Sequence, residues 1–435
     1  MEETFIGIDL GTSGCRACLI DIDENVLQEA RVEIPEPVIQ NQNVEQDPEL
    51  WWQATKDVLL TLSQNPRFQN LSAISIDATS STLLVTDEHY NPLAPALMYN
   101  DARATEEAKQ IESLAPEIAS AVFGASSSLS KLLWLLKKYP NSKKALHQAD
   151  YILGKLSGHY ISDFNNCLKA GFDPESQTWP EWLSNFSIPN QMLPEVFAPG
   201  TSIGSLTTEN KKQLGINKPV QIVTGTTDSI AGFLATGATK IGDAVTSLGS
   251  TLVIKMLSDT PINSAKEGIY SHRINDAWLV GGASNAGGSV LRKEFDDVCL
   301  QQLSEQLSFS QPTGLNYYPL LKTGERFPEN NPNKQACLTP RPKEDADYLQ
   351  AILESLTAIE KKGFEVLVNK GARKPERIFT IGGGSKNKKW MQYRAKQLDS
   401  EVIIPEHTEA CYGTALLAKQ GFMKTTNTKE LLNND

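Results

Sequence analysis

Near its start the chain reads Phe-Ile-Gly-Ile-Asp-Leu-Gly-Thr-Ser-Gly-Cys-Arg-Ala-Cys-Leu-Ile-Asp, residues 5–21. Two runs of strand-forming residues flank a Gly-Thr-Ser-Gly turn, which is the pattern of a β-hairpin whose glycines let a ligand approach the backbone. The turn offers backbone N–H groups and the hydroxyls of Thr12 and Ser13, and such N–H groups bind anions. Asp9 ends the first run, and a carboxylate beside phosphates is favourable mainly with a divalent cation between them. The stretch predicts a nucleotide-phosphate and Mg²⁺ site, although alone it is equally typical of an ordinary turn.

A second stretch repeats this pattern much later in the chain. Residues 242–254 read Gly-Asp-Ala-Val-Thr-Ser-Leu-Gly-Ser-Thr-Leu-Val-Ile, so that Ser-Leu-Gly-Ser-Thr echoes the earlier Asp-Leu-Gly-Thr-Ser. Internal similarity at a long interval suggests two related halves. Ser247 stands where the first copy has Asp9, so only one half would keep the carboxylate beside the metal.

The composition favours a soluble protein with small-molecule partners. The 435 residues include 41 basic and 52 acidic ones, and the net charge of -11 disfavours nucleic-acid binding. No apolar run approaches the roughly 18 residues of a membrane span, and Met1-Glu2-Glu3 lacks the basic start of a signal peptide. We therefore expect a cytoplasmic protein, with a plastid location only if a transit peptide is missing from this sequence. The length allows about two or three domains.

The cysteines and histidines predict neither a disulfide framework nor a zinc site. The 6 cysteines are too few for a disulfide scaffold in a chain of this size. Cys15 and Cys18 form a Cys-x-x-Cys motif, but residues three apart in a strand point to opposite faces, which disfavours metal or redox chemistry. The 5 histidines show no metal-ligand spacing.

Polar residues follow several strands of the buried type. The hydroxyl-rich residues 78–82 follow a strand at 73–77, a place where α/β proteins bind ligands, although the same composition is typical of a Ser/Thr turn. Asp228 opens a helix after a strand at 220–224, and an Asp in this position is most often a helix cap. Three glycines at 382–384 separate a strand from a helix, where the backbone can approach a phosphate or a nucleotide.

In their order and spacing, these motifs resemble the FGGY family of carbohydrate kinases, which has the actin, hexokinase and Hsp70 type of ATPase fold. The resemblance runs over nearly the whole chain and rests on residues 7–14, 44–48 with Trp52, 99–103, 128–134, 225–228, 246–251, 324–328 and 382–387. It implies an α/β fold of two domains, each with a duplicated ribonuclease H-like core, and a cleft between them for ATP and sugar. The first domain, with the sugar side, would be 1–235 completed by a C-terminal helix at about 409–428, and the second, with the adenosine side, 236–408.

The resemblance also implies the site residues and the cofactors, ATP and Mg²⁺. The catalytic base falls on Asp228 and the Mg²⁺-side carboxylate on Asp9, and both would face the sugar. The ATP-binding residues would be Thr12, Ser13 and Gly14 of the first loop, Gly249, Ser250 and Thr251 of the second, and Gly383, Gly384 and Asn387 of the adenosine loop, with Trp390 on the adenine face. By analogy, the sugar contacts would include Ser80, Asp101 and Arg103.

The turn at residues 78–83 bears on the choice of sugar. The sequences of xylulokinases resemble Met-His-Gly at this place. This turn has neither Met nor His, and it is more similar to the Thr/Gly/Ser-rich turn of ribulokinases. The chain is short for the family, Lys138 departs from its signature, and Ser81 replaces a common glycine. It most closely resembles the compact D-ribulokinase group of cyanobacteria and plants, so we expect conversion of D-ribulose to D-ribulose 5-phosphate.

Other functions stay open at this point. D-Xylulose, L-ribulose or a polyol are alternative acceptors, because one inverted hydroxyl changes only one or two hydrogen bonds. A nucleotide-binding regulatory ATPase of the same fold, without a sugar acceptor, is the alternative from another class. The presence of Asp228, which such a protein would not need, disfavours it.

Overall fold

The computed structural model of the chain describes residues 3–433. It forms two compact units: unit 1, Met1–Ala235 with His407–Asp435, and unit 2, Thr236–Glu406. Up to residue 235 the elements are β1 (Thr4–Leu10), β2 (Gly14–Asp21), β3 (Val26–Glu33), β4 (Val38–Gln40), β5 (Asn43–Gln46), α1 (Pro48–Leu62), β6 (Leu71–Ala78), β7 (Leu83–Thr86), β8 (Ala96–Leu97), α2 (Thr105–Leu114), α3 (Ser128–Lys138), β9 (Lys144–His147), α4 (Gln148–Ser157), β10 (Ser162–Asp163), α5 (Phe164–Cys167), β11 (Val196–Phe197), β12 (Ser202–Ser205), α6 (Thr208–Gln213), β13 (Gln221–Thr227) and α7 (Asp228–Ala235). Unit 2 contains β14 (Ala244–Leu248), β15 (Leu252–Ser258), β16 (Tyr270–Ile274), β17 (Ala277–Ser284), α8 (Gly288–Glu294), α9 (Asp297–Gln306), α10 (Asp345–Asn369), β18 (Arg377–Ile381), α11 (Lys388–Leu398) and β19 (Glu401–Ile403), and α12 (Ala410–Asn433) returns to unit 1.

The main sheet of unit 1 has the strand order β12-β13-β6-β1-β2-β3. The predicted hairpin is confirmed, because β1 pairs antiparallel with β2 up to Leu10 opposite Cys15. Strand β1 is parallel to β6, and β6 is parallel to β13. The carboxyl ends of these three parallel strands therefore meet at one edge, where α/β sheets bind ligands.

The sheet of unit 2 repeats this topology. Its order is β16-β17-β15-β14-β18-β19. The run β17-β15-β14-β18-β19 matches β3-β2-β1-β6-β13 strand for strand, with two antiparallel pairings followed by two parallel ones. The two hairpins with similar sequences, β1–β2 and β14–β15, occupy the same place in the two sheets. The expectation of two related halves is thus confirmed by the topology.

Helix α12 covers one face of the sheet in unit 1. Strand β1 is buried along its whole length. At Gly7 a Cβ atom would lie 2.0 Å from the carbonyl oxygen of Cys411, so only glycine lets the helix backbone pack this close. Cys18, opposite Gly7 on β2, lies in the same apolar cluster as Cys411, whereas Cys15 belongs to the cluster on the other side. The two cysteines of the Cys-x-x-Cys motif therefore point to opposite faces of the sheet, as predicted.

Helix boundaries follow local signals in both units. Asp47 caps α1 by accepting a hydrogen bond from the Glu49 N–H, and Pro48 takes the first helical position. Helix α4 ends at Ser157, because Gly158 adopts a left-handed conformation with φ of 79°. Within residues 3–433, the helices lack the combination of length and apolar character that a membrane crossing needs.

Candidate active site

Three aspartates from neighbouring strands meet at the carboxyl edge of the sheet in unit 1. Asp9 on β1 and Asp77 on β6 are register partners. On the other side of β6, Asp77 pairs with Thr226 of β13, which lies two residues before Asp228. Asp9 is 8% exposed and Asp77 is fully buried, whereas Asp228 is half-buried at the start of α7. The structure thus brings the two predicted carboxylates together and adds a third between their strands.

Burial and neighbouring carboxylates raise the pKa values of Asp9 and Asp77. Burial, and then repulsion from Asp228, raise the pKa of Asp9 to about 6, while a hydrogen bond with Asp77 acts in the opposite direction. Burial, followed by repulsion from Asp9, raises the pKa of Asp77 well above its usual range. Both shifts favour the protonated carboxyl over the carboxylate. The Thr414 hydroxyl of α12 also hydrogen-bonds Asp77, so this helix supports the cluster from behind.

The donor set at this edge fits Mg²⁺. Carboxylate oxygens are its preferred protein ligands, and it is usually held by one or two of them together with waters and substrate phosphates. Asp9 and Asp228 supply such oxygens, and their mutual repulsion is the cost that a nearby cation would remove. Among the described residues, no group of three or more His, Cys, Asp or Glu side chains is placed to hold a metal by itself.

The first hairpin presents a partly exposed backbone turn beside Asp9. Gly11 N–H donates to the Gly14 carbonyl at 2.9 Å, which closes the turn. The carbonyls of Thr12 and Ser13 accept hydrogen bonds from Gln46 Nε2 at 3.1 Å and Ile34 N–H at 3.0 Å. Because these carbonyls are bonded within the protein, the turn is fixed, while Ser13 remains exposed at its tip.

The second hairpin carries the corresponding turn in unit 2. The carbonyls of Gly249 and Ser250 accept hydrogen bonds from the Gly288 and Ser289 N–H groups at 2.9 and 3.1 Å, so the start of α8 braces this turn. Arg292 of α8 donates to the Ser250 hydroxyl at 2.5 Å. A cation therefore lies at the turn for which phosphate binding is predicted, and no sequence motif marked it.

The glycine-rich loop after β18 packs against this second hairpin. A Cβ on Gly382, whose φ is 86°, would meet the Leu248 carbonyl carbon at 2.8 Å, whereas one on Gly383 would meet nothing within 4 Å. The loop therefore has one packed side and one open side. Asn387 caps α11 by accepting from the Trp390 N–H at 3.0 Å and donates to the Ser304 hydroxyl at 3.1 Å.

Trp390 does not lie on an adenine face, and that expectation is wrong. Its side chain is only 2% exposed and belongs to the core of unit 2. The indole Nε1–H donates to the Thr357 hydroxyl at 2.9 Å, and a Cβ on Gly384 would meet the ring at 2.8 Å. Trp390 therefore supports the glycine loop from below and has no free face for a base.

The three expected sugar contacts, Ser80, Asp101 and Arg103, differ in how accessible their side chains are to a ligand, and Ser80 is the one whose side chain is not occupied by charged partners among the described residues. It is half-buried in the turn between β6 and β7. Asp101 is fully buried, and its carboxylate accepts from Val44 N–H at 2.7 Å and from Arg103 Nη2 at 2.7 Å, so direct sugar contact by Asp101 is a wrong expectation. Arg103 is neutralised by Asp101 and by Glu45, 2.6 Å from its Nη1, and it lies over the ring of Trp134.

Sequence reasoning missed Asp77, although a signal for it exists. Residues 74–77 read Ile-Ser-Ile-Asp, which is the pattern of Ile-Gly-Ile-Asp at 6–9. The two strands are parallel neighbours, so the same pattern brings both carboxylates to the same level of the sheet.

Known proteins with similar sequences and structures are sugar kinases by name. The chain is 26% identical over 441 residues to the xylulose kinase of Staphylococcus xylosus, an alignment that covers 96% of this chain and 90% of the relative. The crystal structure of a xyloylose kinase from Brucella ovis superposes with a TM-score of 0.90 at 23% identity, covering 97% of this chain and 91% of the other. Gluconate kinase from Lactobacillus acidophilus gives a TM-score of 0.87 at 20% identity, covering 98% and 90%.

These structural similarities establish the actin and hexokinase type of ATPase fold. Family models cover both units: the model of the N-terminal domain matches residues 4–235, and that of the C-terminal domain matches residues 244–420. The chain therefore belongs to the FGGY family of carbohydrate kinases.

Proposed function

We propose that this protein transfers the γ-phosphoryl group of ATP to a ketopentose, converting D-ribulose to D-ribulose 5-phosphate. The observation that carries the proposal is the half-buried Asp228 carboxylate beside Asp9 at the ligand-binding edge of the sheet in unit 1. A kinase that phosphorylates a sugar hydroxyl needs a proton acceptor at such a place, whereas an ATPase without an acceptor sugar does not.

In the proposed reaction Asp228 accepts the proton of the terminal sugar hydroxyl as that oxygen attacks phosphorus. Ser229 N–H donates to Asp228 Oδ1 at 2.5 Å, which helps to fix the carboxylate. Burial and repulsion from Asp228 raise the pKa of Asp9 to about 6, and a cation near the two carboxylates would oppose that shift. This edge therefore suits Mg²⁺ carried by the phosphates of ATP.

We propose as ATP-binding residues Thr12, Ser13 and Gly14 of the first hairpin turn, Gly249, Ser250 and Thr251 of the second, and, for adenosine, Gly383, Gly384 and Asn387 of the glycine-rich loop. The N–H groups and hydroxyls of each hairpin turn are the groups that would bind phosphate. When bound, Mg²⁺ would be held by Asp9 and would neutralise charge on the phosphates. Phosphoryl transfer depends mainly on such positioning and charge neutralisation.

The sugar is proposed to lie against the turn that contains Ser80. This turn reads Thr79-Ser80-Ser81 where the sequences of xylulokinases resemble Met-His-Gly. The difference supports D-ribulose as the acceptor sugar. D-Xylulose is the second candidate, because the similar protein from Staphylococcus xylosus is named a xylulose kinase.

The test is ADP release by the purified protein with Mg²⁺-ATP, alone and with D-ribulose, D-xylulose, L-ribulose, glycerol or ribitol. We expect the largest stimulation by D-ribulose. A larger stimulation by D-xylulose would replace the substrate and keep the mechanism. Slow ATP hydrolysis that none of these acceptors stimulates would contradict the kinase function and favour a regulatory ATPase.

A further inference from the structure

Helix α3 carries a lysine whose amino group lies inside unit 1. Lys131 is fully buried. Its Nζ donates to the Ser81 carbonyl at 2.9 Å and to the Met98 carbonyl at 2.7 Å. Ser81 belongs to the turn after β6, and Met98 leads into the segment of Asp101 and Arg103. One side chain thus joins the two segments that contain the expected sugar contacts.

The Ser81 turn contains one strained residue. Ser81 has a φ of 72°, in the left-handed region that disfavours residues with a Cβ. Its hydroxyl oxygen has no hydrogen-bond partner among the described residues, so the Ser81 side chain does not hold the turn. Within the turn the Thr79 and Thr82 hydroxyls are hydrogen-bonded at 2.6 Å. From outside, the turn is held by Lys131 at the Ser81 carbonyl and by Gln148 Oε1, which accepts from the Thr79 hydroxyl at 2.7 Å.

The burial of Lys131 has a cost that a purely apolar contact would avoid. Desolvation of an amino group is unfavourable unless its hydrogen bonds are replaced, and here they are replaced by backbone carbonyls. Asp101 attracts the ammonium, whereas Lys169 and Arg103 repel it. An apolar side chain of similar length would fill the same space without this cost, so the N–H donors themselves have a use.

Helix α3 is itself held in place on both sides of Lys131. At its start the Ser128 hydroxyl lies 3.0 Å from His147 Nε2, and His147 Nδ1 lies 3.1 Å from Asp150 Oδ2. These are the atom pairs of a Ser-His-Asp hydrolase site, but Ser128 is fully buried, so no substrate reaches it and the contacts hold the helix. One turn after Lys131, the ring of Trp134 lies 4.9 Å from the Arg103 guanidinium carbon.

We propose that Lys131 is a positioning residue for the acceptor sugar: its Nζ fixes the Ser80-Ser81 turn against the Met98 segment and thereby sets the affinity for the sugar. This inference rests on the proposed function and adds to it a residue that does not touch the substrate. It predicts an effect on sugar binding that is separate from ATP binding, because the described contacts of Lys131 are with the sugar-side segments alone.

The test compares Lys131→Met with wild type, using the acceptor that stimulates wild type most. Methionine keeps most of the length of the side chain and removes its N–H donors. We expect the KM for the sugar to rise roughly tenfold, as for the loss of one well-placed hydrogen bond or two, with the KM for ATP unchanged. Lys138→Met, which removes an exposed lysine of the same helix, should change neither value. An unchanged KM for the sugar, or parallel rises for sugar and ATP, would overturn the proposal.

A second variant separates positioning from a general loss of structure. Ser81→Gly accepts the left-handed conformation without strain, so Lys131→Met combined with Ser81→Gly should recover most of the sugar affinity. Absence of any recovery would count against the proposal. If Lys131→Met does not fold, Lys131→Leu, which likewise removes the N–H donors, replaces it under the same criteria.

Hydrogen exchange supplies a readout that does not depend on turnover. Amides of residues 79–83 should exchange faster in Lys131→Met than in wild type and Lys138→Met, even if no sugar proves to be an acceptor. Equal exchange in all three proteins would refute the role of Lys131 in holding the turn. Absence of stimulation in wild type would instead refute the proposed function.

Discussion

Lys131 is also the group from which we expect a large effect of pH on stability. Burial lowers the pKa of its ammonium from the usual 10.5 to about 7, and of the charges nearby Asp101 opposes this shift while Lys169 and Arg103 add to it. In the unfolded chain the amine returns to a pKa of about 10.4. Between about pH 7 and pH 10 the unfolded state therefore binds one proton more than the folded state, and the free energy of unfolding rises with pH. Below about pH 7 both states hold the proton, so the free energy of unfolding no longer changes with pH through this group and stays at its lower level.

The magnitude follows from one proton. The slope approaches about 1.4 kcal/mol per pH unit, which integrates to about 2 kcal/mol between about pH 7 and pH 9. Urea unfolding followed by tryptophan fluorescence measures it: the stability of wild type minus that of Lys131→Met should grow by this amount over the interval. Lys138→Met is the matched control, and its difference from wild type should not change with pH. A difference between wild type and Lys131→Met that is constant from about pH 7 to pH 9 would refute the assignment of a neutral, buried amine.

Three further substitutions, one of them with a matched control, test the site and the packing. Asp228→Asn keeps the shape of the proposed base but not its proton affinity, so sugar-stimulated ADP release should fall by about 10²-fold or more with ATP binding by equilibrium dialysis unchanged, and retention of most of the rate would exclude that role. Gly7→Ala places a methyl group 2.0 Å from a carbonyl oxygen of α12, so it should lower the free energy of unfolding by about 2 kcal/mol or more. The control Gly232→Ala, whose added methyl group would meet nothing within 4 Å, should raise the free energy of unfolding by about 0.5–1 kcal/mol. Equal effects of the two substitutions in urea unfolding would contradict the described packing. Trp390→Phe loses a buried N–H donor and should lower stability by about 1–3 kcal/mol without changing the KM for ATP, and a raised KM at unchanged stability would return Trp390 to the adenine site.

The architecture was predictable because it is encoded twice. Each hairpin carries the same Leu-Gly turn between strand-forming runs, and each unit builds the same order of strands around it. A strand pattern and a turn are local properties, so a single sequence is enough to recognise them. That Asp9 and Asp228 lie close together depends in addition on the order of β1, β6 and β13, which the resemblance supplied and the residues alone did not.

The errors concern side chains whose surroundings come from distant parts of the chain. Trp390 stands in a helix after a glycine loop, and the sequence does not say which face of that helix is covered; α10 supplies Thr357 and buries it. Asp101 and Arg103 are two residues apart and bind each other, so their charges serve the fold. Neither outcome follows from residue type, because Asp, Arg and Trp are frequent both in binding sites and in buried polar networks.

The return of α12 to unit 1 has a consequence for how the protein is made. The apolar cluster of Phe5 and Cys18 on the first hairpin is closed by Cys411 and Ala415, which are translated after unit 2. Residues 236–406 form unit 2 without interruption, and the described residues of its core cluster all lie within this range. During synthesis, unit 2 is therefore expected to complete its core first, although it is translated second, while the nascent first unit keeps an uncovered apolar sheet face. A chain that loses its last helix would remain in that immature condition.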